Sequence, residues 1–320
     1  MKNIIFIISA LLILSCNSAK ENRTQSKSSD SIVENLLQQN NIRNLTSSNH
    51  IKIKTLKGDF ASFKLYLQQL DTTRVSSITF ALDYINTCIP ITNNSQDSVF
   101  FAFEKEYYLI LNHLNSIFDS KYGNIQKQYE SNLKSQELDA FIDNLAYCGM
   151  QLNMSEGATY IDLTPDFLYR SFQHRVSGYV KEYLEIRKNE AKEGFSEDAA
   201  LLISLEATYQ RLKKWENYLN RYPKSRYISQ VIELKEMYLS TLLTGMDNSV
   251  NFDSETQILI PEAKKLYAKI SGLKQPTHSD KIISEYYALL QRHGFKNNDS
   301  IPIFLEANHI YSMMGVQPFE

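Results

Sequence analysis

The sequence predicts an all-α fold of antiparallel helical hairpins, arranged as a solenoid-like bundle. Glycine and proline are scarce, with 10 and 7 among 320 residues, so turn signals are few and long helices are favoured. Apolar residues recur every three or four positions along most of the chain, which is the spacing of one helix face. A Tyr-Pro-Lys-Ser turn at residues 222–225 separates two such stretches, and a short turn makes neighbouring helices antiparallel.

The pattern is clearest from Ser196 to Gly245. We expect Ser196 to cap the first helix and Trp215, the only tryptophan, to anchor its apolar face in the core. Pro223 ends this helix because proline lacks an N–H group. Ser225 can cap the second helix, and Gly245 can follow its last turn in a left-handed conformation.

The same spacing predicts further helices over residues 60–70, 75–89, 99–118, 138–147, 179–192, 261–271 and 279–293. We expect Thr164 to cap another helix, with Pro165 at its first position. One stretch, residues 150–163, alternates between apolar and polar side chains around a Ser-Glu-Gly turn, which predicts one small β-hairpin. Residues 246–253 are polar and predict a loop.

The N-terminus carries a targeting signal, and we assign residues 1–15 to a signal peptide. Lys2 precedes an apolar run from Ile4 to Leu14, which is too short to span a bilayer. The run ends in the residues Ile-Leu-Ser-Cys at 13–16, which resemble the lipobox of bacterial lipoproteins. That resemblance implies a lipid on Cys16, attachment to a membrane of the bacterial cell envelope, and, since Asn17 follows, the outer membrane. An ordinary signal peptide with Cys16 as a bystander is the alternative.

Three segments are predicted after the signal peptide. Residues 16–31 are polar and form a lipidated flexible tether, since they hold too little apolar surface to offset the entropy of ordering. Residues 32–150 form an N-terminal helical lobe and residues 151–320 a C-terminal lobe of helical hairpins. The helix, proline turn, helix and glycine around Pro223 recur around Pro276. This arrangement resembles tetratricopeptide-like envelope lipoproteins, which implies a surface presented to a protein or peptide partner.

Motifs that carry catalysis are missing from the sequence. There is no His-Glu-x-x-His, Cys-x-x-Cys, Gly-x-Ser-x-Gly or phosphate-binding glycine loop, and the six histidines are scattered. We therefore predict no catalytic residue, no metal and no cofactor. The formal net charge of −2 lacks the basic surplus that nucleic-acid binding needs, so no nucleic-acid partner is predicted.

Two small groups of residues leave alternatives open. Cys88 and Cys148 can form a disulfide in an oxidising envelope compartment or remain as two buried thiols. Asp247, Asn248 and Asp253, with the hydroxyl of Ser249, gather oxygen atoms in one loop, as a hard-cation site or as a turn and capping cluster.

These features favour a non-enzymatic envelope lipoprotein whose all-α body binds a protein or peptide partner or assists assembly. One alternative is a glycan- or peptide-acting enzyme, in which two of the many carboxylates converge. Another is a lipoprotein that captures a small ligand or glycan, with some of the 20 tyrosines and 16 phenylalanines lining a pocket instead of the core.

Overall fold

Helices dominate the chain, and the all-α prediction is confirmed. The computed structural model describes residues 58–92, 96–155 and 157–311. Twelve helices and three two-stranded hairpins lie in these ranges. Cys16, the predicted signal peptide and the tether lie outside them. No helix in the described ranges is both long and apolar enough to cross a membrane.

The helices are α1 (Phe60–Leu67), α2 (Ser76–Cys88), α3 (Asp97–Ser116), α4 (Phe118–Glu130), α5 (Gln136–Tyr147), α6 (Phe167–Phe172), α7 (Gly178–Glu193), α8 (Leu205–Arg221), α9 (Ile228–Thr244), α10 (Pro261–Ser271), α11 (His278–Arg292) and α12 (Ser300–Ala307). The strands are β1 (Met150–Ser155), β2 (Ala158–Leu163), β3 (Ser196–Glu197), β4 (Ala200–Leu201), β5 (Gly245–Met246) and β6 (Ser249–Val250). Each strand pairs with its neighbour in antiparallel fashion, which confirms the hairpin predicted at residues 150–163.

Two helical hairpins form the C-terminal half. Helices α8 and α9 pack along each other across the Pro223 turn, and α10 and α11 pack likewise across the Pro276 turn. Trp215 is fully buried on α8, as predicted. One cluster of buried apolar residues runs continuously from Phe63 to Ile310, so the N-terminal helices share a core with these hairpins.

The expected N-cap at Ser196 is wrong. Residues 196–201 form the β3–β4 hairpin, because Asp198 and Ala199 both adopt positive φ angles, of 46° and 52°, in its two-residue turn. The β5–β6 turn supports this hairpin: the Asn248 amide N–H donates to the carbonyl of Ala199 at 3.0 Å. Helix α8 starts later, where Ser204 accepts a hydrogen bond from the amide of residue 207.

Four further elements differ from the prediction. Helix α6 begins at Phe167 rather than after Thr164, and the predicted loop 246–253 contains the β5–β6 hairpin. Helices α4 and α12 were not predicted. Helix α4 is polar apart from Phe118, Tyr122 and Ile125, the three residues that it buries, and so few apolar residues give a weak periodic signal.

Gly245 ends α9 in the left-handed region, at φ +74°, as predicted. A methyl group at this position would lie 2.7 Å from the carbonyl oxygen of Ser249 and 2.9 Å from the amide nitrogen of Asn251. Glycine is therefore needed here for two reasons, the backbone conformation and the close approach of β6.

A buried polar network joins the two helical hairpins. Lys213 on α8 donates from its ammonium group to Glu216 at 2.7 Å, to Asp280 at 2.8 Å and to the Thr277 hydroxyl at 2.6 Å. The Tyr209 hydroxyl donates to the other oxygen of Asp280 at 2.8 Å. Thr277 and Asp280 also form the capping box of α11, so the network fixes the start of that helix against α8.

Both carboxylates of this network are ionised and almost inaccessible. The side chain of Asp280 is 1% exposed and that of Glu216 is 8% exposed. Burial alone would favour their neutral forms, but hydrogen bonds led by the Lys213 ammonium outweigh it and hold the pKa of each below its ordinary value.

We expect Lys213→Met to lower the free energy of unfolding by about 3–5 kcal/mol, because it leaves two buried carboxylates without their cation. The neighbouring Lys214 is exposed, so Lys214→Met is a matched control that should change stability by about 0.5 kcal/mol or less. Urea unfolding followed by circular dichroism measures both. Equal midpoints for the two variants would contradict the role given to the network.

We expect Gly245→Ala to cost about 2–4 kcal/mol, since the new methyl group meets backbone atoms as well as an unfavourable φ angle. Gly294 also has a positive φ, of 64°, but nothing lies within 4 Å of an added methyl group. Gly294→Ala should therefore cost only about 1 kcal/mol. Thermal unfolding of the two variants separates steric overlap from backbone strain, and a larger loss at Gly294 would refute the assignment.

Candidate functional site

A groove of about 350 Å³ opens between α1, α3 and the turn that precedes α9. Phe60 and Lys64 line it from α1, Phe101 and Lys105 from α3, and Arg226 from the turn. All three cationic side chains are exposed, Phe60 is 40% exposed and Phe101 is half-buried. We call these five residues the basic aromatic groove.

Helix geometry explains why these side chains meet. Residues four apart lie on one face of a helix, so Phe60 is next to Lys64 and Phe101 is next to Lys105. The two segments read Phe-Ala-Ser-Phe-Lys and Phe-Ala-Phe-Glu-Lys, the same Phe-Ala-x-x-Lys pattern on two helices that pack together. This repeated pattern is the signal in the sequence from which the site could have been predicted.

The cations of the groove have no salt-bridge partner within the described ranges. Lys64, Lys105 and Arg226 form no ion pair there. The Arg226 guanidinium lies 4.3 Å from the centre of the Phe101 ring, and the Lys64 ammonium lies 5.9 Å from the centre of the Phe60 ring. The three charges are therefore accessible to solvent and to a ligand, although Lys105 also acts on Glu106 and Arg226 on Glu104.

One carboxylate, that of Glu106, also lines the groove. Burial raises its pKa from the ordinary value, and the charge of Lys105 partly offsets this. With three cations and one carboxylate, the lining keeps a formal excess of positive charge although the whole chain is slightly negative. The groove can therefore attract an anionic group that also carries apolar surface.

A cluster of aromatic side chains packs against Phe101, one of the residues that line the groove. The Tyr227 hydroxyl donates to Glu104 of α3 at 2.9 Å, and the Tyr227 ring stacks on Tyr183 of α7 with centres 3.7 Å apart and planes 4° apart. The Phe101 ring meets the Tyr227 ring edge-on at 5.8 Å. These contacts fix α3, α7 and the start of α9 relative to one another.

Glu104 is the carboxylate with the most unusual environment near the groove. Burial raises its pKa to about 7, because the charged form loses hydration, while the Tyr227 hydrogen bond and the Arg226 charge oppose the shift. The same cluster raises the pKa of the Tyr227 hydroxyl well above its ordinary value, through burial and the neighbouring Glu104.

A second groove, of about 470 Å³, lies between α7 and α8. Lys181, Lys214 and Arg221 line it, but Glu182 and Glu185 line it as well. Arg221 forms an ion pair with Glu182, so positive and negative charges compensate each other there. No aromatic residue lines this groove, which distinguishes it from the basic aromatic groove.

The structure places Cys88 and Cys148 on different segments of the chain. Cys88 ends α2 and is half-buried, whereas Cys148 follows α5 and is buried. Burial raises the pKa of both thiols, that of Cys148 to about 12, which makes it a poor nucleophile. The disulfide stays a prediction, for which non-reducing mass mapping is the test.

The oxygen-bearing side chains of residues 247–253 take part in turns. Asp247 and Asn248 form the exposed turn of the β5–β6 hairpin, and the Asn248 side chain donates to the carbonyl of Asp198 at 2.6 Å. Asp253 accepts from the backbone N–H and the hydroxyl of Thr256, each at 2.8 Å, and these hydrogen bonds lower its pKa. The structure therefore gives Asn248 and Asp253 roles in turns, whereas the N-cap of α10 is Ile260.

Two carboxylates that are almost inaccessible to solvent meet at the Lys213 network. Both Glu216 and Asp280 have lowered pKa values, whereas an acid–base pair needs two values pushed apart. Across residues 58–92, 96–155 and 157–311, no three side chains of His, Cys, Asp or Glu gather as a metal-binding set.

Comparison of the chain with protein-family models, with curated proteins and with solved structures finds no match.

We expect Glu104→Gln to remove one component of the pH dependence of stability. The folded-state pKa of about 7 exceeds the unfolded value, so the folded protein binds the extra proton between about pH 4.5 and pH 7. Stability from this group is present at low pH and is lost as the pH rises through 7. The variant should gain about 2 kcal/mol relative to wild type between pH 5 and pH 8.

The exposed Glu233 of α9 supplies the control, Glu233→Gln. Urea unfolding at both pH values measures all three proteins. If Glu104→Gln and wild type lose stability in parallel over this interval, the assignment of the buried proton to Glu104 is refuted.

Proposed function

We propose that the protein is a lipid-anchored lipoprotein of the bacterial cell envelope, tethered to the outer membrane through Cys16, whose helical body binds a protein or peptide partner without catalysis. Support for the anchor comes from the apolar leader that ends in a lipobox-like Ile-Leu-Ser-Cys at 13–16 and continues into a polar segment. A single lipid chain binds membranes only marginally, so this anchor needs more than one acyl chain on the mature N-terminus.

The basic aromatic groove is the single observation that carries the binding proposal. Its cations form no ion pair within the described ranges, and four of its five side chains stand on packed helices, whose backbones need no ordering on binding. Aromatic and arginine side chains are also the residues most often found at the energetic centres of protein interfaces.

The anchor is tested by metabolic labelling with an alkyne-bearing palmitate. Wild type should incorporate the label and partition into the membrane fraction, while Cys16→Ala should lose the label and most membrane association, because the cysteine at the end of the leader, the proposed site of acylation, is gone. Cys88→Ala is the matched control and should keep both. Unlabelled wild-type protein would reject the anchor.

Binding is tested by affinity purification from detergent-solubilised envelopes, with quantitative mass spectrometry. Wild type should enrich the same partner in repeated preparations, compared with a Cys16→Ala control that remains outside the membrane fraction. Absence of any partner enriched over that control would count against a binding module.

A further inference from the structure

We propose that the basic aromatic groove, formed by Phe60, Lys64, Phe101, Lys105 and Arg226, binds an acidic peptide segment that carries at least one aromatic or large apolar side chain. This inference rests on the proposed binding function and names the chemistry of the partner. Charge complementarity and the two aromatic walls carry it.

The charges select an anionic occupant. Lys64, Lys105 and Arg226 come from three separate segments and meet around one concavity, where Glu106 in the lining and Glu104 beneath Arg226 offset them only in part. Like charges held together repel one another, and a ligand carboxylate relieves that repulsion as it forms ion pairs. Two or three carboxylates spaced along a peptide match three cations better than one point charge does.

The aromatic rings select an occupant with apolar surface. Phe60 exposes 40% of its surface and Phe101 is half-buried, so a ligand side chain placed between them removes apolar area from water. A free phosphate or a carbohydrate carboxylate would leave this surface uncovered. A glutamate-rich segment with a phenylalanine or leucine uses the cations and the rings together.

The shape of the site favours a peptide over a lipid surface. Binding to a bilayer uses a protruding apolar face with cations beside it, which sinks into the headgroup region. Here the rings line a recess between α1 and α3, and the cations surround it. An extended peptide can place side chains into such a recess, whereas a flat headgroup layer cannot.

The test uses a fluorescein-labelled peptide, Glu-Phe-Glu-Phe-Glu, titrated into the full-length protein in an uncharged detergent. Fluorescence anisotropy should show saturable binding that weakens when salt rises from about 0.05 M to about 0.5 M, because exposed charges become screened. The peptides Lys-Phe-Lys-Phe-Lys and Glu-Gly-Glu-Gly-Glu should bind at least about tenfold more weakly, the first through repulsion and the second through loss of the apolar contact.

The double variant Lys64→Glu, Lys105→Glu should weaken binding of the acidic peptide by about tenfold or more. The matched control is Lys181→Glu, Lys214→Glu in the second groove, which changes the net charge equally and should alter affinity less than about twofold. Phe60→Ala removes an exposed ring and should weaken binding by about threefold. Circular dichroism spectra of all variants should match wild type, since Lys64, Lys105 and Lys214 are exposed and Lys181 is only half-buried.

Three outcomes would overturn the inference: no saturable binding of the acidic peptide, equal losses in the two double variants, or unchanged affinity in Lys64→Glu, Lys105→Glu. Vesicles of phosphatidylglycerol form a separate arm. If Lys64→Glu, Lys105→Glu abolishes vesicle binding but leaves peptide binding intact, the groove is a membrane contact and the inference is wrong.

The same double variant separates failure of this inference from failure of the proposed function. If wild type and Lys64→Glu, Lys105→Glu enrich the same envelope partner equally, the groove is not the binding site. The proposed binding function is then still supported. Loss of that partner in the variant supports the groove, and absence of any partner for wild type removes the proposed function itself.

Discussion

The position of one half-buried ammonium group, that of Lys213, decides how the C-terminal helices are arranged. It lies between two carboxylates that are almost fully removed from water, Glu216 on its own helix and Asp280 on α11. Neither carboxylate could remain ionised there without the cation, and the cation would be costly without them. Since Asp280 also caps α11, a change in the placement of one hairpin would leave buried charges unpaired in the other.

Trp215 connects the same helix, α8, to a second neighbouring helix. Its ring is fully buried, and its indole N–H donates to Glu190 of α7 at 2.8 Å. Helix α8 therefore has polar contacts with α7 on one side and with α11 on the other, within an apolar surround. Apolar burial provides most of the driving force for folding, while these directional contacts select one arrangement of the helices.

The periodic spacing of apolar residues was sufficient to predict the long helices, because the signal for each helix lies within its own sequence. Helices such as α3, α9 and α11 bury one face over several turns, so their pattern repeats often enough to be unambiguous. The prediction of a helix start at Ser196 was wrong because the conformation of this region depends on a contact with Asn248, which is distant in the sequence. Its tight turn contains no glycine, and the side chain of Asn248 satisfies the carbonyl of Asp198. No signal within residues 196–201 reports that contact.

The basic aromatic groove was not predicted from the sequence for a related reason. Each Phe-Ala-x-x-Lys segment alone is compatible with an ordinary amphipathic helix, in which the phenylalanine packs inward and the lysine meets water. The two segments become one site only when α1 packs on α3, and Arg226 joins them only after the α8–α9 turn folds back. Composition, which gives a slightly negative chain, likewise says nothing about a local excess of positive charge.

Glu104 links the positive charge of the groove to the buried aromatic cluster around Tyr227. Burial raises the pKa of Glu104 to about 7, while the Tyr227 hydrogen bond and the Arg226 charge favour its ionised form. When Glu104 is protonated, it does not balance the positive charge of Arg226, and Glu106 is the carboxylate that remains in the lining of the groove. When Glu104 is ionised, part of that positive charge is balanced from below. Because Phe101 lies between Tyr227 and the Arg226 guanidinium, the electrostatics of the groove depend on packing within the core as well as on its exposed lysines.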